Sequence, residues 1–114
     1  MSPKPERPKI EKAPSDLLLR VDDSGTFLEA RPGSEVPFAI PPQDFLGKNL
    51  ADVLPPTIAE PAQTAISAAL ADNLAHQFEY QIDLPAGKGY FEARTIAVAE
   101  NEVVITIRNR TRER

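Results

Sequence analysis

The sequence predicts an α+β domain, a five-stranded antiparallel sheet with short helices covering one face. Three observations predict it. The apolar spacing changes from a helical period to strict alternation near residue 75. Short β-prone runs are separated by turn signals rich in Gly, Pro, Asn and Asp. The order is two strands, then helices, then three strands, which suits hairpins and excludes a doubly wound parallel sheet.

The elements follow in chain order. Residues 1–16 carry Pro3, Pro5, Pro8 and Pro14, and only Met1, Ile10 and Ala13 are apolar. Such a stretch cannot offset its ordering entropy, so a disordered Pro-rich leader is expected over 1–16. A Pro-rich recognition ligand is the alternative. Leu17 to Val21 opens the folded part, Asp22-Asp23-Ser24-Gly25 is a turn, and Thr26 to Ala30 is the returning strand. Pro32, Gly33, Pro37, Pro41 and Pro42 restrict 31–44 to loop or short helical turns. Asn49 caps a short helix that Pro55 ends. Thr57 and Glu60 have capping-box spacing for a longer helix, and Pro61 places its start nearby. Ile58, Ala62, Ala65, Ile66, Ala69 and Leu70 form its buried stripe, and Asp72-Asn73 its end.

Strands are then predicted over 78–84, 90–98 and 103–108, with turns at 85–89 and 100–102.

Composition excludes several functions. With no Cys there is no disulfide framework, thiolate metal site or cysteine nucleophile. No apolar run nears the roughly 18 residues of a membrane span, and no secretory h-region is present, so a cytoplasmic location is expected. Residues 17–107 hold five Lys/Arg against thirteen Asp/Glu. That body repels phosphate backbones, so no nucleic-acid partner is expected. Residues 108–114 hold four Arg and one Glu. There is no HExxH, GxSxG or P-loop, so no catalytic residue is assigned and no enzyme is expected. Asp22-Asp23 reads as a turn and Glu100/Glu102 as a hairpin tip, so no metal site is assigned.

Four pieces in order carry a resemblance: LLLRVDDSGTFLEA, FLGKNLADVLPP, FEYQIDLPAGKGYFEAR and VVITIRNRT. Together, over about residues 17–111, they resemble a PAS domain, the sensory module of bacterial signalling proteins. The resemblance implies strand order 2-1-5-4-3 and a cleft between sheet and helices. It also implies a sensory or dimerising role that passes a state to a C-terminal effector such as a kinase or cyclase. Many PAS domains close on an Asp-Ile-Thr type triplet, where this chain has Asn109-Arg110-Thr111. The amide keeps the hydrogen bonding and loses the charge. Arg108, Asn109 and Thr111 are therefore the expected signal-exit residues, and 112–114 the start of an exit linker. Nothing recognisable as an effector follows, so a domain excised from a larger protein is expected.

Cofactors of the family can be weighed against residue types. Flavin–cysteine adducts and thioester-linked chromophores need Cys. Haem sensors of this type use a His on the longer helix, and 57–75 holds none; His76 is the only His and falls at a turn. Non-covalent flavin is disfavoured by the lack of Trp. No cofactor is predicted, and an unidentified small molecule in the cleft is the remaining option. Its candidate contacts are Tyr80, Phe78 and Arg94. For Arg94 two readings stand, an anion-binding group inside the cleft or an ion-pair ladder with Glu92 on the outer face. Alternation favours the ladder, because Phe91 and Ala93 then face the helices. The stripe Phe78, Tyr80, Ile82 and Leu84 also reads as plain core. Two function classes follow, a ligand-responsive sensor and a ligand-free dimerisation scaffold. A homodimer is expected, with Leu18, Ile96, Val98 and Val104 as candidates for its apolar face.

Overall fold

The computed structural model describes residues 4–10, 12–34, 42–84 and 87–111. The first strand, β1 (Leu17–Asp22), turns Leu17, Leu19 and Val21 into the core. Asp22 then builds the turn itself. Its Oδ1 accepts hydrogen bonds from the Ser24 and Thr26 amides at 3.0 and 2.8 Å and from the Ser24 hydroxyl at 2.8 Å. Burial alone would push its carboxyl up, but these bonds outweigh it and hold the carboxyl below its usual range. Gly25 supplies the positive φ, 93°. The return strand β2 (Phe27–Arg31) starts one residue later than predicted, because Thr26 bridges to Asn49 instead. Of the Pro-broken stretch 31–44, residues 35–41 lie outside the described residues, and 42–44 form a single 3-10 turn.

Helix α1 (Leu50–Val53) is capped as predicted, with Asn49 Oδ1 accepting from the Ala51 amide at 2.9 Å. Helix α2 (Pro56–Asp72) departs from the prediction at its start. The capping box of Thr57 and Glu60 is not used; Pro55 is the N-cap and makes no side-chain cap bond. Pro56 at the first helical position explains this. Its φ is already helical, and its missing N–H is one that no helix start satisfies internally. Pro61 consequently sits in the second turn and removes one intrahelical bond. The buried side of α2, which carries Ile58, Ala59, Ala62, Ala65, Ile66 and Ala69, offsets that loss. Burying the Ile66 side chain alone is worth about 1.5–3 kcal/mol. Leu70 is only partly buried. Asn73 closes the helix in the left-handed region, φ 57°, and its N–H bonds the Ala69 carbonyl.

The last third forms β3 (His76–Leu84), β4 (Gly87–Ala99) and β5 (Glu102–Asn109). All three exceed their predicted lengths: β4 and β5 because their ladders run to the turns, with Leu84 pairing Gly87 and Ala99 pairing Glu102, and β3 because His76 and Gln77 pair Thr95 and Arg94. Gly87, Lys88 and Gly89 of the predicted turn 85–89 thus belong to β4, and Pro85 and Ala86 lie outside the described residues. The five strands are antiparallel in the order β2-β1-β5-β4-β3, as the resemblance implied. One face of the sheet, here the inner face, carries Leu17, Leu19, Val21, Phe27, Phe91, Ala93, Val103, Ile105 and Ile107. They pack with Phe45, Leu50, Ala59, Ala62, Ile66 and Ala69, and Phe45 meets Phe27 edge-on at 5.2 Å.

Two expectations meet different facts. Asp16, assigned to the leader, is only 2% exposed. Its amide bonds the Ala13 carbonyl, and the Ser34 amide bonds the Pro14 carbonyl. Further upstream, Lys4 Nζ donates to the Leu70 carbonyl at 2.9 Å and Asn73 Nδ2 to the Pro5 carbonyl at 3.0 Å. Contacts with distant residues supply what composition could not. The second concerns the proposed dimer face. Ile96 and Val104 are 2% and 3% exposed within the single chain, and Leu18 and Val98 are half-buried. These four therefore do not make an open apolar patch.

Candidate functional site

Strand β3 is an edge strand, and its register against β4 decides which side chains meet. Phe78 stands opposite Ala93 and Tyr80 opposite Phe91, so all four share the inner face. Tyr80 stacks on Phe91 with centroids 5.4 Å apart and planes 20° from parallel; Phe78 lies 6.0 Å from Tyr80. Such pairs contribute about 0.5–1.5 kcal/mol beyond their burial. The rings pack against the core from its open side, and burial pushes the Tyr80 phenol up. Two residues beyond Ala93 on the same face, Thr95 is 0% exposed. Its Oγ1 has no hydrogen-bond partner among the described residues. His76 stands opposite it at the start of β3, with Nε2 2.9 Å from both carboxylate oxygens of Asp72. The hydrogen bonds from His76 and from the Leu74 amide hold the Asp72 carboxyl below its usual range.

Arg94 is not brought to this wall. It points from the opposite, outer face, where a groove of about 170 Å³ is lined by Asp16, Gln77, Glu92, Arg94, Thr106 and Arg108. The reading of Arg94 as a group inside the cleft is corrected on this ground. Period-two alternation cannot place it beside Phe91 and Ala93. Ion pairs do run across the outer face. Arg20 lies 2.9 Å from Glu102 and 3.5 Å from Glu29, which also pairs Arg31 at 2.8 Å. Exposed pairs of this kind are worth a few tenths of a kcal/mol. A second groove, about 240 Å³, lies at the β3–β4 hairpin end between Glu79, Tyr80, Gln81, Tyr90, Phe91 and Arg110.

The exit strand is tied to the residue beside the aromatic wall. The Arg110 amide bonds the Tyr90 carbonyl at 2.7 Å, and the Tyr90 amide donates to Thr111 Oγ1 at 3.1 Å. Asn109 Oδ1 accepts from the Thr111 amide at 2.9 Å. Arg108 reaches Asp16 at 3.4 Å, and Arg110 reaches Glu92 at 3.2 Å. Residues 112–114 lie outside the described residues. Sequence reasoning named Asn109 and Thr111 but missed Tyr90, Thr95 and Asp16. For Tyr90 the signal was present, since a hairpin places it near the end of β5. For Asp16 there was none.

Among the described residues no three His, Cys, Asp or Glu side chains gather to hold a metal ion, and no helix is long and apolar enough to cross a membrane.

A family model described as PAS fold matches residues 13–114. No curated protein sequence matches the chain. Among solved structures, it is similar to the PAS domain of the RpfR quorum-sensing receptor of Cronobacter turicensis in complex with C12:0. That likeness has a TM-score of 0.66 at 17% identity and covers 89% of this chain and 98% of that one. It is also similar to the photoactive yellow protein domain of the sensor histidine kinase Ppr of Rhodospirillum centenum, with TM-score 0.65, 19% identity and coverage of 82% and 91%. A sensory box sensor histidine kinase from Vibrio cholerae gives 0.64 at 16%, covering 83% and 81%. At such identities the likeness is one of fold.

Proposed function

The chain belongs to the PAS fold family, and from that premise we propose that it serves a larger bacterial signalling protein as a sensory or relay module, without enzymatic activity of its own. In this reading a small molecule held against Phe78 and Tyr80 biases β4, and the exit strand passes that bias to a C-terminal effector. The observation that carries it is the adjacency of wall and exit. Phe91 stacks on Tyr80, and its chain neighbour Tyr90 holds both Arg110 and Thr111 through its main chain. A ring displacement at Tyr80 has one peptide to cross before it reaches the exit.

A ligand-free scaffold is the second reading. It is favoured by the apolar side chains that already fill the space between sheet and helices. Native mass spectrometry of the purified chain, compared with the denatured mass, separates the two. A retained small molecule lost from the Tyr80→Ala variant supports the sensor. The bare chain mass from both preparations, with no retained species at any concentration, supports the scaffold. The same spectra report whether the chain forms the homodimer proposed for it.

A further inference from the structure

Four charges of alternating sign cross the outer face from one end of the chain to the other. The first is Asp16, whose sheltered carboxylate accepts from the Ala13 amide at 3.1 Å and from Arg108 Nε and Nη2 at 3.4 Å each. The second is Arg108 on β5, half exposed. Directly across from it on β4 stands Glu92, the third. The fourth is Arg110, whose Nη2 lies 3.2 Å from Glu92 Oε2. Asp16 belongs to the segment that leads into β1. Arg110 belongs to the segment that leaves β5.

We propose that this ladder couples the two chain ends, so that displacing the lead-in segment loosens the exit at Arg110 and Thr111 while the inner face stays as it is. The inference goes beyond the sensory reading, because it needs no ligand. The mechanism is competition for the middle of the ladder. Arg108 stands between two carboxylates, 3.4 Å from Asp16 and directly across the ladder from Glu92, so the two compete for it. When Asp16 withdraws, Arg108 turns to Glu92 and Glu92 holds Arg110 less well. When Arg110 withdraws, Glu92 draws Arg108 away from Asp16. A sheltered carboxylate that loses its cation is strongly disfavoured, so the effect returns to the lead-in segment. Coupling of this kind is reciprocal by thermodynamic necessity. A protein domain fused ahead of residue 13 could then act on one fused behind Thr111.

Amide hydrogen exchange on the whole chain tests this. Two reporters stand at the exit: the Arg110 amide, bonded to Tyr90, and the Tyr90 amide, bonded to Thr111. Two stand at the lead-in: the Asp16 and Ser34 amides. Asp16→Asn should speed exchange at the exit reporters by about five-fold or more, and Arg110→Gln should speed the lead-in reporters by a similar factor. Both distant effects should vanish in a Glu92→Gln background. Arg110→Gln leaves the sheltered carboxylate in place, so that arm stands even if Asp16→Asn fails to fold. Acceleration confined to the altered end would overturn the proposal. So would equal acceleration across the core amides of Leu19 and Ile105, which would report general destabilisation.

Discussion

Gly33→Ala isolates the contact between the loop after β2 and the lead-in segment. A Cβ at this position would stand 2.3 Å from the Ser15 carbonyl oxygen and 2.4 Å from the Asp16 carbonyl carbon and oxygen. All three are backbone atoms, so no side chain can swing aside. Real Cβ contacts stay above 3.0 Å, and the two backbones must part by at least about 0.7 Å. Overpacking of this order costs about 1–3 kcal/mol. The neighbouring bond from the Ser34 amide to the Pro14 carbonyl, 3.1 Å, is strained or lost, for about 1 kcal/mol more. Together these predict a loss of about 3 kcal/mol, or about 10–20 °C in Tm for a chain of this size. Gly47→Ala is the matched control. Gly47 has φ +83° and nothing within 4 Å of its would-be Cβ, so the substitution there costs only backbone strain, about 1–2 kcal/mol. Thermal and urea unfolding followed by circular dichroism measure both. If Gly33→Ala unfolds within 0.5 kcal/mol of the parent (about 3 °C), residues 15 and 16 are not held against the loop and the argument fails.

The remaining predictions concern the core, the wall and the first turn. Ile66→Ala, at a fully buried position on α2, should cost about 2–5 kcal/mol in urea unfolding. Tyr80 has its phenol pushed above the ordinary 10.0, so the folded state keeps the proton longer than the unfolded one. Its contribution is complete below pH 10 and is lost as pH rises beyond it; unfolding midpoints above pH 10 should fall less steeply in Tyr80→Phe. Asp22 works in the opposite direction. Its carboxyl lies below the ordinary 3.8, so its contribution is present above that value and lost as pH falls through the folded pKa. The difference in stability between pH 6 and pH 2.5 (values bracketing the carboxylate range) should shrink in Asp22→Asn, and an unchanged difference would remove Asp22 from the account.

Much of the fold was legible because its signals are local. Asn49 is legible as a cap because an amide before an apolar turn bonds the next amides wherever the helix sits. Phe78 and Tyr80 are legible as one face because alternation follows from the strand itself. The missed helix start shows where local rules compete. Thr57 and Glu60 had the spacing for a capping box, yet Pro56 had a stronger claim to the first helical position. The site was half legible. Its ring on β3 could be found from pattern, while Phe91 as its stacking partner required the register that pairs Tyr80 with Phe91.

By itself the sequence determined the kinds of element, their order and the faces of each strand, since these depend on backbone sterics and on periods of 2 and 3.6 residues. It also determined the chemistry the chain lacks, thiolates above all. Tertiary structure decided what distant segments do to one another. It withdrew Ile96 and Val104 from solvent and drew Asp16 out of an otherwise Pro-rich, polar leader to lie beside Arg108, 92 positions away. The physical reason is that burial and ion pairing belong to neighbours in space. No window along the chain contains both partners, so their energies enter only once the sheet has closed and set its register.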